Sequence, residues 1–107
     1  MFILLVASTD SWETLETVHH LTRATVSRGY RVIVFFMSQS TRLLGSDRDS
    51  PYLPGLSELG VRLLVCRTSV LETGLVQKGA LMKEAEMSSL GELVGLMADA
   101  DRALFLG

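Results

Sequence analysis

Two uninterrupted apolar runs constrain this chain more than any other feature. Phe2-Ile3-Leu4-Leu5-Val6-Ala7 and Val32-Ile33-Val34-Phe35-Phe36-Met37 contain no polar alternation. A strand with one wet face alternates apolar and polar residues, whereas a strand covered on both faces does not, and this is the habit of parallel sheets. Between the runs, Trp12, Leu15, Val18, Thr22, Thr25 and Val26 recur at three- and four-residue spacings, which predicts a helix from Trp12 to about Arg28. Gly29 stops it. Ser8-Thr9-Asp10-Ser11 supplies residues that can cap its start, and Glu13, three residues after Asp10, resembles a capping box. With Arg31–Met37 as the second strand, the three elements form one βαβ unit, expected to be right-handed.

The rest of the chain continues the alternation. Residues 38 to 55 read as a long irregular connection with one helical turn at Thr41 to Leu44, and such long loops are often functional. Gly55 to Leu59 reads as a short helix ended by Gly60. Val61 to Val65 is predicted as a third strand, and Ser69 to Thr73 as one or two helical turns closed by Gly74. Gly79 to Met82 is predicted as a short fourth strand. Ser88 or Ser89 then caps an amphipathic helix through Leu90, Leu93, Val94 and Met97, and Ala103 to Leu106 is a fifth strand. The expected fold is α/β, three-layer α/β/α, around a mostly parallel five-stranded sheet. The 107 residues suit a single domain, 1–107.

Composition narrows the function classes. Apolar residues make up 48% of the chain, enough to build a core, and the formal charge of -2 comes from interspersed signs. No basic footprint for nucleic acid results; Arg23, Arg28 and Arg31 read as a solvated helix end. No apolar run approaches the roughly 18 residues that span a bilayer. The opening segment lacks the basic start and length of a signal peptide, so a cytoplasmic location is expected, with no membrane partner. One cysteine excludes an intramolecular disulfide, a CxxC pair and a cysteine-based zinc site.

Ligands of open α/β sheets bind beyond the carboxyl ends of the strands. Three loops therefore matter: Ser8–Ser11, Ser38–Ser46 and Cys66–Ser69. Neither GxGxxG nor GxxxxGK[ST] occurs. Ser8, Thr9, Asp10 and Ser38 form a candidate pocket whose hydroxyls can hold a phosphate; the plainer reading of the first three is a helix cap. His19 and His20 are adjacent on a helix, about 100° apart, and do not converge on one metal. The plainer reading puts one against the sheet or a subunit partner and the other in water. Asp47 with Asp49, and Glu84 with Glu86, read as solvated acids, and Met82, Met87 and Met97 as packing. No metal and no cofactor is expected.

Cys66 stands apart because it ends an apolar strand and precedes a helix start. The backbone N–H groups of Thr68 and Ser69, the positive end of the helix dipole and the Arg67 guanidinium can favour a thiolate there, the reactive form of the thiol. The competing reading is packing, since free cysteine is among the most buried residue types.

The segment Gly60-Val61-Arg62-Leu63-Leu64-Val65-Cys66-Arg67-Thr68-Ser69 resembles the DsrE/DsrF/TusD-type sulfur-relay (DsrE-like) family, in which a GV-x-L-x-V-C-x-x-[SA] stretch carries the active cysteine. Arg28-Gly29-Tyr30 is similar to that family's x-G-H turn into its second strand, and Leu93 to Leu106 resembles its last helix and strand. The chain departs from the pattern after its second strand, where Met37 to Gly45 stands in place of a Gly-Val pair, and in its shorter Ser8–Ser11 loop. The resemblance implies an all-parallel sheet with the first strand internal. It also implies that Cys66 accepts a sulfane sulfur as a persulfide and hands it to a cysteine of another protein. Donor and acceptor would be other proteins, TusA-like or DsrC/TusE-like, in a homotrimer or a homo- or hetero-hexamer. Two other readings stay open: a small flavodoxin-like module for FMN or another phosphate ligand, and a non-catalytic oligomer subunit with Cys66 buried.

Overall fold

The computed structural model describes residues 1–45, 55–56, 58–74 and 83–107. Five strands form one sheet: β1 (Phe2–Ala7), β2 (Arg31–Phe36), β3 (Arg62–Cys66), β4 (Ala85–Ser88) and β5 (Arg102–Leu106). Their order is β4-β3-β2-β1-β5, and every pair is parallel. The first strand is internal, as the resemblance implies. All six residues of β1 are buried, and only Arg31 of β2 is exposed, which is why neither strand shows polar alternation.

Helices cover both faces. α1 (Trp12–Val26) and a 3-10 helix (Ser38–Leu44) lie on the first face, with α2 (Arg67–Glu72) at the end of β3; α3 (Leu90–Asp99) covers the second. The first core joins Ile3, Leu5, Val34, Phe36, Leu63 and Val65 of the sheet to Leu15 and Val18 of α1, Leu43 and Leu44, and Val70 of α2. The second joins Phe2, Leu4, Val6, Ile33, Phe35, Leu64 and Cys66 to Leu93 of α3. The two-residue period of a strand assigns neighbours to opposite cores, so Val65 faces the first and Cys66 the second.

Several boundaries differ from the sequence reading. Ser11, not Asp10, caps α1: its Oγ accepts from the Thr14 N–H at 3.1 Å, so the Asp10–Glu13 capping box does not form. α1 ends at Val26, and Gly29 follows at φ +80, the left-handed turn that releases the chain into β2. The predicted turn at Thr41–Leu44 is the second half of a seven-residue 3-10 helix. It begins at Ser38, whose φ of 54 is the one positive value on a non-glycine residue among those described. β3 extends to Cys66 and α2 starts at Arg67, so no spacer separates strand from helix. The fourth strand is Ala85–Ser88; the predicted Gly79–Met82 lies outside the described residues. Of the two serines offered as caps, Ser89 caps α3, accepting from the Glu92 N–H at 3.1 Å.

Candidate functional site

At the carboxyl ends of β1, β2 and β3, hydroxyls join the strand ends to one another. Ser40 Oγ, fully buried, donates to the Ala7 and Met37 carbonyls at 2.7 Å each. The Ser40 N–H donates to the Ser8 carbonyl. Ser69 Oγ accepts from the Ser38 N–H at 2.8 Å, and Thr41 Oγ1 lies 3.0 Å from Thr73 Oγ1. The 3-10 helix is thereby tied to β1 on one side and to α2 on the other. This bonding also accounts for the positive φ of Ser38, because a residue in a sparsely populated conformation persists where its surroundings hold it.

Cys66 sits at one end of this arrangement. It is the N-cap residue of α2, with φ -69 and ψ 122, and its side chain makes no capping hydrogen bond. It is 1% exposed and packs in the second core with Leu64, Phe35 and Leu93. Its neighbour across β3 and β4 is Ser88, whose Oγ donates to the Glu92 carboxylate on α3. Arg67 and Thr68 are exposed on the first turn of α2, whereas Ser69 is buried. Four consecutive residues thus divide into a buried sulfur, two solvent-facing side chains and a buried hydroxyl already bonded to Ser38.

The candidate phosphate pocket is likewise occupied by internal bonds. Ser8 Oγ donates to the Gly107 carbonyl at 2.6 Å, and Thr9 Oγ1 lies 2.7 Å from Thr14 Oγ1. Ser38 contributes its backbone N–H to Ser69. Asp10 is half-buried and Ser38 exposed. The structure brings Ser8 and Ser38 to the same sheet end through Ser40, while Thr9 belongs to the start of α1.

The other polar residues form separate groups. His19 is half-buried and lines a shallow groove with Arg23, Gly55, Glu58 and Leu59; His20 is exposed. Loss of hydration holds the His19 imidazole below its ordinary range, with the Arg23 and His20 charges acting the same way. Arg62 and Glu86 form a two-pronged pair across β3 and β4, Nε to Oε2 at 3.2 Å and Nη2 to Oε1 at 3.1 Å. The hydrogen bonds from Arg62 lower the Glu86 carboxyl from its ordinary range. Among the described residues no three His, Cys, Asp or Glu side chains are grouped to hold a metal ion. No described helix is long and apolar enough to cross a membrane. Asp47 and Asp49 lie outside the described residues. Sequence reasoning missed Ser40 and the Ser88–Glu92 pair; isolated hydroxyls in a loop and at a short edge strand carry no periodic signal.

A parallel α/β sheet whose third strand carries a cysteine straight into a helix defines a class of small open-sheet domains with a candidate thiol site at the strand ends. The chain belongs to the DsrE/DsrF-like family, whose model matches residues 1–106. Its fold is similar to that of a protein of unknown function, MTH1491, from Methanobacterium thermoautotrophicum, with a TM-score of 0.82 and 19% identity over 97% of each chain. It is also similar to the ychN protein of E. coli, with a TM-score of 0.72 and 16% identity, again over 97% of each chain. A search of curated proteins gives no match.

Proposed function

We propose that this protein is a sulfur-relay carrier that holds sulfane sulfur as a persulfide on Cys66. The observation that carries the reading is the position of Cys66, at the carboxyl end of β3 and the N-cap of α2, in a chain of the DsrE/DsrF-like family. The Cys66 thiolate attacks the outer sulfur of a donor persulfide; a new S–S bond forms at Cys66, the donor's S–S bond breaks, and the donor leaves as a thiolate. Transfer onward repeats the exchange, with an acceptor thiolate attacking the outer sulfur and Cys66 leaving. The chain carries one cysteine, so donor and acceptor thiols belong to other proteins, of the TusA-like or DsrC/TusE-like kind. Arg67 on the first helical turn supplies positive charge, and the N–H groups of Thr68 and Ser69 supply the helix end. The carrier works in the cytoplasm as a single domain, in a homotrimer or a homo- or hetero-hexamer. No cofactor takes part.

Burial sets the condition for this chemistry. A thiol 1% exposed does not meet a partner's persulfide, so loading passes through an opening of the layer over Cys66. The same burial favours a second reading, a non-catalytic oligomer subunit in which Cys66 is packing. The phosphate-ligand reading draws less support, because Ser8, Thr9 and Ser69 spend their hydroxyls internally. Intact mass after incubation with a sulfane-sulfur donor separates the two thiol readings. The relay predicts a gain of one sulfur atom in the native protein and none in Cys66→Ser. No gain with any donor, together with a thiol inert to iodoacetamide from pH 6 to 9, assigns Cys66 to packing.

A further inference from the structure

The two edges of the sheet are unlike. β4 is four residues long and carries Glu86, bonded to Arg62, a charged edge of the kind that resists pairing with another strand. β5 is the opposite edge; its one charge is Arg102 at its start, and Ala103-Leu104-Phe105-Leu106 carries no charge, proline or glycine. Leu104 is 41% and Phe105 60% exposed. They lie on opposite faces, since Leu104 is in register with Leu5 of the first core and Phe105 with Val6 of the second. An edge that is apolar on both faces from Ala103 to Leu106, its outward peptide groups unpaired among the described residues, is a template for a further strand.

We propose that β5 pairs antiparallel with β5 of a second copy about a twofold axis at Leu104, continuing one sheet through two protomers. The backbone sets this register. The Leu106 carbonyl accepts from the Ser8 N–H, so Leu106 and, two residues back, Leu104 turn their peptide groups toward β1. Alternation turns those of Ala103 and Phe105 outward. Centring the pair on Leu104 sets each Ala103 opposite Phe105 of the second copy, where both exchange hydrogen bonds. It sets Leu104 opposite Leu104 as the closer, non-bonded pair. The side chains agree: the two Leu104 side chains meet on the α1 face, and each Phe105 lies beside Ala103 of the second copy on the α3 face.

Charge points to a second copy as the occupant. In the same register Arg102 of one copy lies opposite Leu106 of the other, on the α1 face. Leu106 lines a shallow groove with Glu13 of α1. Both Arg102 and Glu13 are exposed, so the twofold brings them together twice. An unrelated strand would have to supply that cation at the same position, whereas a second copy supplies it by symmetry.

The inference refines the assembly in the proposed function and is independent of its sulfur chemistry. Sedimentation velocity on the full chain tests it. The wild type is expected as an even-numbered assembly, with Leu104→Lys and Phe105→Glu each halving its mass while helical circular dichroism is retained. Arg102→Glu and Glu13→Arg are each expected to weaken the assembly, and the two together to restore it. A wild-type monomer, or a mass unchanged by either β5 variant, overturns the proposal. So does failure of the double charge exchange to restore what each single exchange weakens. A wild-type trimer overturns the twofold contact yet leaves the homotrimer reading and the persulfide assay untouched.

Discussion

Leu93 is the one buried residue of α3, and it belongs to the same core as Cys66. Replacing it by alanine removes the anchor that holds this helix on the sheet. Leucine-to-alanine changes in cores cost about 2–5 kcal/mol, and a residue at the margin of a layer, 6% exposed, belongs at the lower end, about 2.5 kcal/mol. If α3 is the cover that lifts to expose the thiol, its open population rises by the same free energy. At about 1.36 kcal/mol per tenfold, that is roughly a 70-fold increase. With iodoacetamide at fixed pH, and reclosing faster than alkylation, the labelling rate follows the open population. Leu93→Ala should therefore label roughly 70-fold faster than wild type. Leu15→Ala is the comparison, because Leu15 is fully buried on the opposite face. It should lower Tm at least as much and leave labelling within about twofold, since a local opening of α3 does not draw on the first core. Equal acceleration by both variants would show that the thiol is reached by global unfolding. A lowered Tm in Leu93→Ala with an unchanged labelling rate would show that access comes from the β3–α2 end. Either result refutes α3 as the cover.

Other expectations follow from the hydrogen bonds and charges at the strand ends. Ser69→Ala removes the acceptor of the Ser38 N–H and should cost about 1 kcal/mol in urea unfolding, because exposed Ser38 regains water in part. Ser40→Ala should cost more, about 1–3 kcal/mol, since the hydroxyl that serves the Ala7 and Met37 carbonyls is fully buried. The folded state lowers the affinity of His19 for a proton, so the unfolded chain binds the proton more readily. Stability should then be retained above the ordinary histidine value of 6.5 and fall as pH drops below it, a decline that His19→Gln flattens in pH-dependent thermal melts. Glu86 also has a depressed folded value, so its contribution is present above the ordinary carboxylate range and is lost as pH falls through it. Because the pair with Arg62 is half exposed, Glu86→Gln should cost less than about 1 kcal/mol at neutral pH and nothing in acid.

The sequence by itself determined the layers. The runs Phe2–Ala7 and Val32–Phe36 specify strands buried on both faces, and such strands require helices on both sides. It also located Cys66 at a strand-to-helix junction and identified the family through the flanking residues. It did not locate β4, because Ala85-Glu86-Met87-Ser88 is a short edge strand with a charge and a hydroxyl and shows no apolar run. Nor did it extend the 3-10 helix back to Ser38, because that helix is held by bonds from Ser40 to Ala7 and from Ser38 to Ser69, partners about thirty residues away in sequence. Tertiary structure decided which way each side chain at the candidate site points. Extending β3 by one residue to Cys66 fixed the parity of the strand: the sulfur turned into the second core, while Arg67 and Thr68, beyond the strand, were left in water. Residue type and spacing can mark a reactive position, but burial depends on what the rest of the chain lays over it.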